Sequence, residues 1–107
     1  MELRQLRYFV AIADAGTMAR AAGAVFVTQS TLSHQLAQLE KDVGDMLFER
    51  VGRSLRLSDA GRQLLGYARS ILALVEESNQ AVQQVRALAT GSLRVGVIHS
   101  MVTTSFH

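Results

Sequence analysis

At 107 residues the chain has room for one compact domain and an appendage, not for two full domains. With 49% of residues apolar and 19% charged it has the balance of a folded soluble protein, and the absence of cysteine excludes a disulfide framework or a thiolate metal site and suits a reducing cytoplasm. A formal net charge of +2 is no polycation, and with neither a signal-peptide pattern nor an apolar run of about 18 residues, export and membrane spanning are not expected.

No proline punctuates the chain, so element boundaries come from glycine, capping hydroxyls and changes of hydrophobic period. Leu3, Leu6, Phe9, Val10 and Ala13 recur at helical spacing, and Gly16 is a C-terminal stop that tolerates a left-handed backbone. Thr17 can cap a short second helix from Met18 to about Ala24, whose Ala19, Ala21, Ala22 and Gly23 let another helix approach closely. Val25, Phe26 and Val27 form an apolar turn, after which Thr28 can cap a third helix running to about Val43 and stopped by Gly44. At about 100° per residue Leu32, Leu36, Leu39 and Val43 fall in one narrow stripe that predicts a core face. The opposite side gathers Ser30, Ser33, His34, Ala37, Gln38 and Lys41, a surface short of charge that suits pressing against something polar, although an ordinary solvated face is the plain alternative.

Beyond Gly44 the period becomes two: Phe48–Val51 and Leu55–Leu57 flank Gly52-Arg53-Ser54, which predicts a hairpin. Arg50, Arg53, Arg56 and Arg62 lie within thirteen residues whose only counter-charge is Asp59, although a solvated arginine-rich loop would read the same in isolation. From Ser58 to about Ala89, Leu64, Ala68, Ile71, Val75, Ser78, Val82, Val85 and Ala89 follow alternating steps of four and three, a heptad seam on one long helix. At 1.5 Å per residue that helix would extend about 45 to 50 Å, more than so small a head can cover, so part of the seam calls for a second chain. Ser92–Ile98 alternates like a strand with no partner strand left in the chain.

These parts predict a mainly α fold: a winged helix-turn-helix of three helices and a β-hairpin over 1–58, a long linker or dimerisation helix over 59–90, and a further short piece over 91–107. A helix of the third one's width fits the major groove of DNA, and arginines on a hairpin can reach phosphates or the adjacent minor groove. His34, His99 and His107 lack metal-ligand spacing, and no serine sits in a glycine-flanked elbow beside a base, so neither metal, cofactor nor catalysis is expected. The rival reading is a helical protein–protein interaction module, in which the heptad helix joins partners and the head merely caps it.

Three runs in register carry a family resemblance: Leu3 to Ala13, Ala19-Arg20-Ala21-Ala22, and Gln29 to Glu40. They resemble the DNA-binding domain of LysR-type transcription regulators, and Leu47-Phe48-Glu49-Arg50 and Leu57-Ser58-Asp59-Ala60-Gly61 are similar to that family's wing and linker-helix start. The resemblance covers about residues 2–96. It implies a cytoplasmic regulator that binds a dyad-symmetric DNA site as a homodimer. Its DNA-binding positions would be Thr28, Gln29, Ser30, Thr31, Ser33, His34 and Arg53. Gln29 would read a base edge, Ser30 and Thr31 would donate to phosphate, and Arg53 would form the wing-tip arm. The chain departs from the family's usual pattern with Ser30 in place of proline and Ala37 in place of a basic residue. The resemblance also makes residues 91–107 the start of a truncated effector-binding domain, with Ser100 at an effector-binding position of an incomplete site. A small-molecule effector is expected only for a longer protein.

Overall fold

Helix ends fall where hydroxyls and glycines put them in a computed structural model that describes residues 1–90. The order is α1 Leu3–Ala15, α2 Met18–Val25, α3 Gln29–Val43, β1 Phe48–Val51, β2 Ser54–Leu57 and α4 Asp59–Thr90. Thr17 accepts the Arg20 amide proton and Thr28 that of Thr31, each satisfying an orphan N–H of the first turn. Gly16 and Gly44 close α1 and α3 at φ 79° and 80°. α2 stops within the turn expected over Val25, Phe26 and Val27, but in a way the residues do not signal: Phe26 caps it in the left-handed region at φ 60°, a conformation costly for a bulky residue, and is 93% exposed. The expected strand over 92–98, Ser100, His99 and His107 lie outside the described residues.

Leu6, Phe9 and Ile12 of α1 and Leu32 and Leu39 of α3 are fully buried, and Ala21 and Ala22 of α2 let the helices close on one another. Leu3 proves exposed while Ile12 takes a central place, so the inward face of α1 is rotated slightly from the expected stripe. Gln5, also buried, accepts the Glu2 amide proton, which leaves its carbonyl satisfied. The hairpin adds Phe48, whose ring lies 5.4 Å from that of Phe9 in a tilted arrangement.

The two strands pair antiparallel with Phe48 opposite Leu57, Glu49 opposite Arg56, Arg50 opposite Leu55 and Val51 opposite Ser54. Cross-strand partners share a face. Phe48, Leu55 and Leu57 therefore set the inner face, and Glu49 with Arg56 the outer one. Gly52 carries the positive φ of the two-residue turn at its first central position, as a type II′ hairpin requires. The Leu55 amide donates to the Gly16 carbonyl at 2.8 Å, tying the wing to the α1–α2 corner.

Ser58 joins wing to α4 by three bonds: its hydroxyl donates to the Met46 carbonyl and accepts the Gly61 amide proton, and its amide donates to the Leu47 carbonyl. The first compact unit runs Met1–Leu72, so the start of α4 belongs to the head: Gly61 and Ala68 are buried, and Leu64, Leu65, Ile71 and Leu72 pack on the core. Arg69 of α4 also pairs with Asp14 of α1 at 2.6 Å, and that hydrogen bond and charge raise the guanidinium above its ordinary high pKa. The described part of the second unit is the remainder of α4 from Ala73, along which Leu74, Val82, Val85 and Leu88 are all exposed.

Candidate nucleic-acid interface

Because Leu32 and Leu39 hold one side of α3 in the core, the opposite side is committed to solvent. Thr28, Gln29, Ser30, Thr31, Ser33 and His34 are all exposed, Ser30 and His34 most directly opposite the core and Gln29 and Ser33 on the flank, and Arg53 is exposed at the wing tip. At about 100° per residue Gln29 and Ser33 form one row, Ser30, Ala37 and Lys41 the next, and Thr31 and Gln38 the row farthest from Gln29. His34 projects between the last two. The Thr28 and Thr31 hydroxyl oxygens lie 3.0 Å apart, so one of their two protons is spent between them and one remains for an acceptor such as phosphate.

A cleft of about 450 Å³ opens between α3, the start of α2 and the wing, and Gln29, Ser33, Arg50, Arg53, Thr17 and Met18 line it. It brings together Gln29, Ser33 and Arg53 of the expected set. Thr28, at the N-cap, and Ser30, Thr31 and His34, farther round the exposed side of α3, lie outside the cleft.

The four arginines singled out in the sequence are not equivalent. Arg56 is paired with Glu49 across the hairpin at 3.1 Å, and Arg62 with Asp59 and the Leu57 carbonyl. Arg50 and Arg53 have no carboxylate partner among the described residues, so the net positive charge of this region sits on the side of the wing that faces α3. In the sequence Arg50 stands only as one member of the basic patch, without an assigned contact, and nothing marks the start of α2 as part of the site. A signal for Arg50 is nevertheless present: counting in steps of two from the apolar Phe48 puts it on the inner face. Within α4 the expected seam divides. Leu64, Ala68 and Ile71 serve the head, whereas Val82 and Val85 are exposed and, with Leu74 and Leu88 from outside the seam, form an apolar row within an arc of about 120°.

No helix of the described residues is long and apolar enough to cross a membrane. The regulator TfdT of Cupriavidus pinatubonensis is 42% identical over 95 residues, 89% of this chain and 42% of TfdT. The regulator YwqM of Bacillus subtilis is 39% identical over 103 residues, 96% of this chain and 35% of YwqM. The chain thus spans well under half the length of these relatives. Among solved structures, CbnR DBD in complex with DNA superposes with a TM-score of 0.74 at 43% identity, over 78% of this chain and 95% of that one. BenM DBD with benA site 1 DNA gives 0.76 at 33% identity, over 79% and 99%. The profile described as "Bacterial regulatory helix-turn-helix protein, lysR family" matches residues 3–62, more than half of the sequence, and the chain belongs to that family.

Proposed function

We propose that the chain is a sequence-specific DNA-binding transcription regulator acting in the bacterial cytoplasm, with α3 in the major groove and the wing on the adjacent phosphates and minor groove. The observation that carries this reading is the cleft that joins an uncharged, hydrogen-bonding helix face to two arginines that have no carboxylate partner among the described residues. A helix face of that kind can pair with base edges, while the arginines neutralise backbone charge. The similarity to domains solved with DNA supports it. Selection of duplexes from a random pool is the test. An inverted repeat is the expected product, and a pool that gains no common sequence after repeated rounds would exclude specific reading. Dimerisation without any duplex binding would favour the interaction-module reading instead.

The homodimer rests on the exposed row of Leu74, Val82, Val85 and Leu88, which a second copy of α4 would cover. At micromolar concentration the chain should sediment as a dimer. Val82→Glu with Val85→Glu should sediment as a monomer whose head still unfolds cooperatively on heating. Ile71 is unsuited to this test because it packs on the head's own core. A parent chain that is monomeric throughout the micromolar range would refute the assembly. In a longer protein carrying the remainder of the effector domain, Ser100 would contribute to binding a small effector.

A further inference from the structure

We propose that Arg50 is a second backbone-binding cation of this interface, closing on the phosphodiester strand that would lie between α3 and the wing. The inference rests on the DNA-binding reading above and assigns a role to a residue that the sequence alone left in an undifferentiated basic patch.

The register of the hairpin carries it. Arg50 pairs with Leu55 and shares the inner face with Phe48 and Leu57, whereas Arg56 pairs with Glu49 on the outer face. The two strand arginines therefore look in opposite directions although they are only six residues apart. Arg56 spends its charge on Glu49 at 3.1 Å. Arg50 lines the cleft that contains Gln29, Ser33 and Arg53, and also the adjoining one lined by Met18, Leu36 and Glu40. Glu40 is the one carboxylate in that adjoining cleft, and it is held by the Leu47 amide at 2.8 Å and makes no ion pair with Arg50. An arginine on the inner face of a wing, beside the row that begins with Gln29, is placed to meet the strand whose bases α3 would read. Arg53 at the tip is placed to meet the backbone farther out. Two arginines without a carboxylate partner among the described residues on one side of the hairpin, against one neutralised by Glu49 on the other, give a chain with a net charge of only +2 a local means of gripping a polyanion.

The expected consequence is electrostatic and independent of sequence. Each phosphate left without its cation takes about 0.9 from the slope of log affinity against log salt, which corresponds to about eightfold weaker binding near 0.1 M salt and to almost no change near 1 M. Anisotropy titrations of the whole chain with the selected duplex and with random duplex, over a range of monovalent salt, provide the measurement. Arg50→Met keeps the apolar stem and should lose affinity for both duplexes by the same factor, with the shallower slope. Arg50→Lys should restore the slope, and Arg56→Met should match the parent. Arg50→Gln is a second charge-free variant, and thermal melting of each establishes that it is folded. An unchanged slope in both charge-free variants, or an equal loss in Arg56→Met, overturns the assignment of Arg50 while leaving DNA binding by the parent intact. A parent with no salt-dependent duplex binding would instead remove the DNA-binding reading, and this inference with it.

Discussion

Gly61→Ala should lower the melting temperature of the chain by roughly 5 to 15 °C, and Gly66→Ala, five residues along the same helix, should raise it by a few degrees. Helix propensity alone favours both changes by about 1 kcal/mol, because alanine loses less backbone entropy in a helix than glycine. The surroundings decide the sign. A Cβ on Gly61 would overlap the Leu47 carbonyl oxygen and lie 2.9 Å from the Leu57 side chain, while one on Gly66 meets nothing within 4 Å. The Leu47 carbonyl is backbone and already accepts the Ser58 amide proton, so it cannot swing aside, and α4 or β1 must move instead. Overpacking of this kind costs about 1 to 3 kcal/mol or more, enough to outweigh the propensity gain, and each kcal/mol is worth about 4 to 8 °C in a domain of this size. Both variants must be melted at the parent's concentration, since any dimerisation makes the melting temperature concentration-dependent. A Gly61→Ala protein as stable as the parent would mean that α4 does not sit this close to the wing.

The same close approach shows what could and could not be read from the residues. The ends of α1, α2 and α3 were legible because Gly16, Thr17, Thr28 and Gly44 act locally, through their own backbone angle or a hydroxyl three residues from an orphan amide. The buried side of α3 was legible because Leu32 and Leu39 recur at a helical period against polar neighbours. The left-handed backbone of Phe26 was not, because a bulky residue is disfavoured there and nothing in its identity announces it. Nor was the division of labour along α4. A heptad seam from Leu64 to Ala89 is continuous as a pattern, yet Leu64, Ala68 and Ile71 answer to the head's core and Val82 and Val85 do not. The period records that a face is apolar, and only tertiary packing tells which partner covers it.

For the site, the polar face of α3 was visible because it is an absence of charge on an otherwise amphipathic helix. The basic patch was visible only as a count. Four arginines look alike in sequence, but pairing is a property of register, and the opposition of Glu49 to Arg56 reduces the charge that the patch presents. Gln29, Ser33 and Arg53 meet in one cleft because a turn of α3 and a hairpin tip some twenty residues later are brought together by the bond from Leu55 to Gly16 and by Phe48 against Phe9.

Gln29 and Arg53 should then fail in different ways when truncated, although they line the same cleft. The Gln29 amide, at the first residue of α3, offers a donor and an acceptor in the fixed arrangement that matches the major-groove edge of adenine. Gln29→Ala should cost on the order of 1 to 3 kcal/mol in each half-site of the selected sequence and relax preference at one base pair there, with random duplex bound almost as before. Arg53 sits in the second position of the hairpin turn, exposed and without a carboxylate partner among the described residues, where a guanidinium displaces counterions whatever the sequence beneath it. Arg53→Ala should weaken both duplexes to a similar degree and flatten the salt dependence by about one unit for each phosphate no longer neutralised. The selected site should separate the two, because only one of them discriminates bases. A wing arginine that enters a narrow A·T-rich minor groove reads shape as well as charge, and in that case Arg53→Ala would lose more on selected sites flanked by A·T tracts than on others. Titrating both variants against selected and random duplex at several salt concentrations distinguishes these outcomes. If Gln29→Ala lost both duplexes equally while Arg53→Ala changed neither, α3 would not lie in the major groove with its first turn against the bases.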